Sequence, residues 1–345
     1  MLRYLTAGES HGKALVAILE GCPANLPLSS KDLQLDLERR QQGYGRGPRM
    51  KGIETDQAEI LSGVRNGKTI GSPISLMIPN KSTEFFEKVV TEPRPGHADL
   101  AGILKYNQKD VRNILERASA RETAAKVALG AVAKKLLGQF KIYVKSRVVQ
   151  ISGSKSKSEW NKLIDRAKAQ GETLGGVIEV VALGVPVGLG SYVESDRRLN
   201  GLLAQALMSI PAVKGVGIGL GYEVANLPGS KVQDEIFYSK DRGFFRRTNH
   251  AGGIEGGISN GEAIVLTAAV KPIATLKKPL KSVDIISKKP VLGLVERSDI
   301  CAVEPAAIVG EAVVALVLAN AFLEKFGCDS IEDISASYKA YLSRI

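Results

Sequence analysis

The chain has 345 residues, with 47 Lys and Arg against 36 Asp and Glu, for a formal net charge of +11. With 44% hydrophobic and 24% charged residues and a mean hydropathy near zero, it reads as globular and not disordered. Its 36 aperiodic glycines exclude collagen; Cys22, Cys301 and Cys328, far apart and with no CxxC or HExxH, argue against a disulfide scaffold or structural zinc and fit a reducing cytoplasm.

The opening MLRYLTAGESHG has no basic stretch followed by an apolar one, so no signal peptide is expected. Hydrophobic periodicity then predicts elements in chain order: a strand over Leu15–Glu20, a helix over Lys31–Gln41, a strand over Ile74–Ile78 and a helix over Glu116–Leu137. A strand over Ile142–Ile151, a helix over Ser158–Gln170, a strand over Gly176–Leu183 and a helix over Leu199–Ser209 follow. Strands over Gly215–Tyr222 and Ala263–Ala269 and a helix over Ala306–Lys325 complete the pattern. Ser30 and Ser158 read as N-caps. The most apolar run, Ala312–Ala319, is too short to span a bilayer and reads as a buried helix.

Strands and helices do not alternate regularly, which favours an α+β fold with antiparallel sheets over a doubly wound parallel one. An internal echo is visible. Val16 to Leu26 resembles Val181 to Leu189, Gly71 to Ile78 resembles Gly261 to Ala268, and each half ends in a long Ala-rich helix. One domain of two similar halves, about 1–150 and 175–345, is expected.

Three familiar motifs fail on context. Gly8-Glu-Ser10-His-Gly12 fits G-x-S-x-G, but only seven residues precede it, too few for a nucleophile elbow on an established sheet. Gly63-Val-Arg-Asn-Gly67-Lys68-Thr69 places its first Gly one residue too close for a phosphate-binding loop. Gly215, Gly217, Gly219 and Gly221 alternate with period two and read as a strand.

Four constellations remain. All three histidines, His11, His97 and His250, lie in Gly-containing loops, where functional groups are displayed, and His suits proton transfer near neutrality. The loop Arg39 to Lys51 carries Arg39, Arg40, Arg46, Arg49 and Lys51 and no acid; guanidinium forks suit phosphate and carboxylate, although a solvated or nucleic-acid-binding loop reads the same way. Arg117 and Arg121 stand four apart, on one face of the predicted helix, with Ser119 between them. They could hold a phosphate or be a surface ion pair with Glu116 or Glu122. Arg297-Ser298-Asp299 precedes the final helix and could be no more than a cap with a charge partner. Together these loops describe a pocket for a multiply anionic small molecule with proton-transfer chemistry, which accounts for the net charge without nucleic acid or a membrane surface.

Over essentially its whole length the chain resembles the chorismate synthase family. The matching blocks are Gly8 to Gly12, Arg40 to Arg49, Arg94-Pro-Gly-His-Ala-Asp99, Arg117 to Ala124, Gln205 to Gly215, Asn249 to Gly257, Lys271-Pro272 and Arg297-Ser-Asp299, in family order. The resemblance implies anti-1,4-elimination of phosphate from 5-enolpyruvylshikimate 3-phosphate to give chorismate, with reduced FMN and no net redox change. It implies His11 as acid near the leaving phosphate, His97 on the reduced flavin and Asp299 as a proton relay. Ser10, Arg40, Arg46, Arg49, Arg121 and Arg297 are the implied anion contacts. Arg117, Ala118, Ser119, Pro211, Ala212, Gly256, Lys271, Pro272, Ile273, Ala274, Thr275 and Arg297 are the implied FMN contacts. The family fold is a layer of helices between antiparallel sheets, assembled as a cytoplasmic homotetramer. The resemblance leaves open whether NADPH reduces the flavin here or an external reductase does; the absence of a Rossmann fingerprint favours the reductase. Pro211 stands where many members carry Asn, removing an N–H and an amide, and Pro48 interrupts the basic loop. A nucleic-acid-binding protein would instead place Arg39–Lys51 and Lys271–Lys289 on one surface, and a hydrolase would use Ser10. The Gly-rich loops, with little apolar packing of their own, are expected to become ordered on binding ligand.

Overall fold

The computed structural model describes residues 1–83 and 87–345. Its helices in chain order are α1 (Ser30–Gln41), α2 (Asp99–Tyr106), α3 (Arg112–Ala118), α4 (Thr123–Gln139), α5 (Lys157–Gln170), α6 (Leu199–Met208), α7 (Gly229–Val232), α8 (Val303–Phe326) and α9 (Ile331–Leu342). Two four-stranded antiparallel sheets accompany them. In spatial order the first is Arg3–Ala7, Ala14–Glu20, Ile74–Pro79, Glu59–Ile60; the second is Tyr143–Ile151, Gly176–Leu183, Ile264–Val270, Val213–Ile218. Numbered by chain position within each sheet, both run 1-2-4-3. The α+β expectation with antiparallel pairing is met.

Period-two alternation sets which face each sheet buries. Leu15, Ala17 and Leu19 point inward beside Ile74, Leu76 and Ile78; Ile178, Val180 and Ala182 do so beside Ile264, Leu266 and Ala268. α4 lies on the first sheet, α8 on the second, and α4 and α8 pack along each other. Gly130 permits that approach: a Cβ there would overlap the Cβ and Cα of Ala312. α8 is long and apolar enough to cross a membrane, but 83% of its most apolar window is buried within the fold. It is apolar on all sides because it is the central core helix. Its one deep charge, Glu311, is 1% exposed and is held by Arg39 (2.7 and 2.8 Å), Lys134 Nζ (2.7 Å) and the Ser146 hydroxyl (2.8 Å).

The echo in the sequence falls on matching local structure. The Thr69 hydroxyl donates to Pro23 O (2.5 Å) and accepts from Leu26 N–H (2.9 Å); the Ser259 hydroxyl donates to Pro186 O (2.6 Å) and accepts from Leu189 N–H (2.9 Å). The segment once read against a phosphate loop is a tight hairpin, Val64–Arg65 with Lys68–Thr69, turning through Asn66 and Gly67 at φ 50° and 73°. Gly256 and Gly257 make the corresponding turn between Ile254–Glu255 and Ile258–Ser259. The chain ends are knitted together: Leu2 N–H donates to Asn320 Oδ1 (2.8 Å), and Ala24 N–H donates to Asp329 O (2.9 Å).

Several expectations are corrected. The helix over Glu116–Leu137 is broken at Ser119, which is extended (φ −68°, ψ 142°). A 3₁₀ turn, Ala120–Glu122, then leads into α4. Arg117 and Arg121 therefore do not share a face. The strand from Gly215 starts at Val213, ends at Ile218 and gives way to a 3₁₀ segment, Gly221–Asn226. The N-caps are Ser29 and Ser156 in place of Ser30 and Ser158. Ser29 uses both its N–H and its hydroxyl to donate to the Asp32 carboxylate (2.8 Å each).

Candidate active site

A cavity of about 820 Å³ opens where loops of both halves meet, at the N-terminal ends of α4 and α8. The connection between strands Arg3–Ala7 and Ala14–Glu20 delivers Ser10 and His11. The strand-turn-strand context rules out a nucleophile elbow at Ser10, whose hydroxyl instead accepts from Arg49 Nη1 (2.8 Å) and Ser119 (3.2 Å). Glu116, from α3, holds His11 at two points: Oε2 accepts the backbone N–H (2.6 Å) and Oε1 lies 2.9 Å from the ring Nδ1. Burial pushes the Glu116 carboxyl up, but the His11 and Arg112 hydrogen bonds outweigh it, so its pKa lies below the ordinary value.

The basic loop turns inward. α1 carries Arg40 in its last turn, and a π-helical turn, Arg49–Ile53, capped by Pro48, presents Arg49. Between them Gly45, at φ 86°, lies so close to α5 that a Cβ would stand 2.8 Å from Ile164 Cγ2; its carbonyl accepts from Ile300 N–H (2.7 Å). The loop is thus in contact with α5 and Ile300 of the rest of the protein. Arg39 leaves the cavity for Glu311 and Asp36, while Arg40, Arg46 and Arg49 line it, an arrangement unlike a flat nucleic-acid surface.

Below the cavity floor, Asp56 is fully buried between Arg40 Nη1 (3.1 Å) and Arg121 Nη1; Glu54 pairs with Arg49 Nη2 (2.9 Å). Burial pushes the Arg40 guanidinium down to about 10; Asp56 opposes this, and the Arg121 and Arg46 cations add to it. Arg46 Nε and Arg121 Nη2 are buried with no hydrogen-bond partner among the described residues.

Asp99, at the start of α2, accepts from Arg94 Nε (2.8 Å) and from His97 Nδ1 (2.5 Å). Burial acts to raise the Asp99 carboxyl, but the His97 and Arg94 bonds hold it well below the carboxylate range. Arg94 also reaches across to Thr275 Oγ1 (2.9 Å), and Lys271 Nζ donates to Gly96 O (2.6 Å), so the His97 loop is fastened to the second half. From that half, Pro211-Ala212 and Lys271 to Thr275 form a wall, with Ala212 at the unusual φ of 73°. Asp299 does not cap α8: its carboxylate accepts from Arg46 Nη1 (2.5 Å) and Gly47 N–H (2.6 Å).

The expected residues Ser10, His11, Arg40, Arg46, Arg49, His97, Ala118, Ser119, Arg121, Pro211, Ala212, Lys271, Pro272, Ile273, Ala274, Thr275, Arg297 and Asp299 all line this one cavity. Arg117 and Gly256 do not. Arg117 is turned outward onto Thr6 O (2.8 Å) and Gly8 O (3.2 Å), because the break at Ser119 rotates it away from Arg121; Gly256 sits at its hairpin tip with open space around it. His250 also lies elsewhere, its backbone N–H donating to Asp234 (2.8 Å). Sequence reasoning missed Glu54, Asp56 and Asn80, which hold the arginines; the acid-free arginine loop was itself the signal that counter-charges must come from other segments.

Cations and two histidines with carboxylate partners in one cavity define an enzyme that handles a small anion with proton transfer. The sequence pattern of the chorismate synthase family matches residues 2–323. Chorismate synthase of Thermoanaerobacter pseudethanolicus is 59% identical, covering 99% of this chain and 98% of its own length; that of Caldanaerobacter subterraneus subsp. tengcongensis is 56% identical, covering 100% and 99%. A solved structure described as a crystal structure of chorismate synthase superposes with a TM-score of 0.83 at 45% identity, covering 100% of this chain and 98% of its own. The chain belongs to the chorismate synthase family, carbon–oxygen lyases that act on a phosphate.

Proposed function

We propose that this cavity eliminates phosphate from 5-enolpyruvylshikimate 3-phosphate, in the 1,4-anti sense, to form chorismate with reduced FMN bound. The observation that carries the reading is the convergence of Arg40, Arg46, Arg49, Arg121 and Arg297 on the one cavity that also holds His11 and His97. The donor set also suits FMN: backbone and hydroxyl groups of Ala118-Ser119, the Pro211-Ala212 wall and Lys271 to Thr275 offer apolar surface for a flat ring beside Lys271 and Arg297 for a phosphate.

Bound reduced FMN supplies electron density for C–O cleavage and helps remove the ring hydrogen at C6. The chain's own residues do the rest. Arg40, Arg49 and Arg121 bind and orient the substrate phosphate and stabilise its charge as it departs. Their cationic heads are held in place by Asp56 and Glu54, so no reorganisation is needed at the moment of bond breaking. His11 donates a proton to the leaving phosphate. His97, fixed by Asp99, would hold a proton at the flavin side, and the Asp299 carboxylate, fixed by Arg46 and Gly47, would accept one there.

The same reading places the protein in the cytoplasm as a homotetramer supplied with reduced flavin by an external reductase, NADPH being the ultimate donor. It treats the fold as two halves related by duplication, with helices between two sheets. The common 1-2-4-3 strand order and the Thr69 and Ser259 hydroxyl bridges support that relation. The test is an anaerobic mixture of the protein, 5-enolpyruvylshikimate 3-phosphate and reduced or oxidised FMN, followed by phosphate release and chorismate absorbance. Product is expected with reduced flavin alone, and His11→Ala lowers kcat by roughly 10²–10⁴-fold. No product from folded protein with reduced flavin would overturn the reading.

A further inference from the structure

We propose that Glu116 is the positioning residue that fixes His11 as its Nδ1–H tautomer and leaves Nε2 facing Arg49 on the cavity wall. Glu116 is 3% exposed, and both of its oxygens are committed to His11, one to the backbone N–H and one to the ring. Arg112 Nη1 shares Oε1 (3.1 Å) and also reaches Glu296 (2.8 Å), so the Glu116 carboxylate stays ionised and can only accept. A carboxylate has no proton to give, so Nδ1 carries one. On the other edge of the ring, Arg49 Nη1 stands 3.2 Å from Nε2. A guanidinium can only donate, so Nε2 offers its lone pair. Glu116 and Arg49 demand the same tautomer.

This inference rests on the reading of His11 as the acid. A phosphate entering beside Arg49 gives that guanidinium a better acceptor and releases Nε2, which takes a proton from solvent. That proton then passes to the departing phosphate oxygen, while the Nδ1–H remains on Glu116. The carboxylate stabilises the imidazolium in between and keeps the ring from turning.

The experiment is 15N NMR of the full chain with selectively labelled histidine, and no ligand is needed. The protein has three histidines, and His11→Ala identifies the relevant pair of signals. Wild type is expected to show a protonated Nδ1 and an unprotonated Nε2. In Glu116→Gln the single amide oxygen goes to the His11 backbone N–H, so the amide NH₂ faces Nδ1 and drives the ring proton to Nε2. The two nitrogen signals should exchange character while those of His97 and His250 stay put. Turnover should fall roughly 10²–10⁴-fold with KM changed by less than about threefold. An unprotonated Nδ1 in wild type, or an unchanged tautomer in Glu116→Gln, overturns the proposal. Should the Gln variant not fold, the wild-type tautomer alone decides. Because the NMR measurement involves no turnover, its failure is separable from failure of the proposed reaction.

Discussion

Asp56→Asn removes a carboxylate that lies between two buried guanidinium groups. Asp56 is fully buried, with Arg40 and Arg121 only 4% exposed each. Asn retains one acceptor and turns an NH₂ toward the other arginine, so a donor–donor contact is added to the lost charge. Breaking a buried pair by removing one partner costs about 3–5 kcal/mol. Unfolding entropy for a chain of 345 residues is roughly 0.7 kcal/mol per degree, so the melting temperature should drop by about 4–7 °C. The assay is thermal unfolding of both proteins without ligand, at two salt concentrations. Buried pairs are weakly screened, so the difference should survive the change in salt. A drop of under about one degree, against the several expected from this burial, would mean that Asp56 is not what neutralises the cavity floor.

Two further outcomes follow from the core. Gly130→Ala and Gly138→Ala lie in the same helix, and helix propensity favours Ala by about 1 kcal/mol at either. The new methyl at 130 would overlap Ala312 while that at 138 meets nothing within 4 Å, so the first should lower the melting temperature and the second raise it in calorimetry. Glu311 has a pKa below its ordinary 4.5: burial raises it, but hydrogen bonds and charge from Arg39 and Lys134 prevail. A depressed carboxylate contributes stability that is full above about pH 4.5 and is lost as pH falls through the folded value. Melting temperature against pH should therefore fall more steeply below pH 4.5 in wild type than in Glu311→Gln, and parallel curves would refute that assignment.

The elements readable from the sequence are those with one face on the core. Gly176–Leu183 was bounded correctly because its alternation is clean, and Lys31–Gln41 was within a residue of α1. Arg3–Ala7 went unread because it is an edge strand with no buried residue and thus no alternation. The break at Ser119 was invisible because Arg-Ala-Ser-Ala-Arg-Glu has the composition of a helix. What overrides it is in part tertiary, Arg121 buried on Asp56, and in part local, the Ser119 hydroxyl accepting from Arg121 N–H (3.3 Å) as a cap. Loop histidines and arginines advertised the site because their chemistry is local. Glu116 did not, since a Glu beside an Arg on a helix reads as a surface pair until the fold brings His11, 105 residues away, against it.

The junction of Leu2 with Asn320, and of Ala24 with Asp329, bears on how the protein is made. As the chain emerges from the ribosome, its first strands can meet α4 before synthesis is half complete, but the second sheet waits for α8, and the first strands for their ties to Asn320 and Asp329, until almost the end. The wall from Lys271 to Thr275 and the anchors at Arg297 and Asp299 are late arrivals too. Contacts this distant in sequence make folding slow and leave apolar sheet surface uncovered in the nascent chain. Prematurely terminated chains should accordingly be substrates for chaperones and proteases, and contain no partial catalyst.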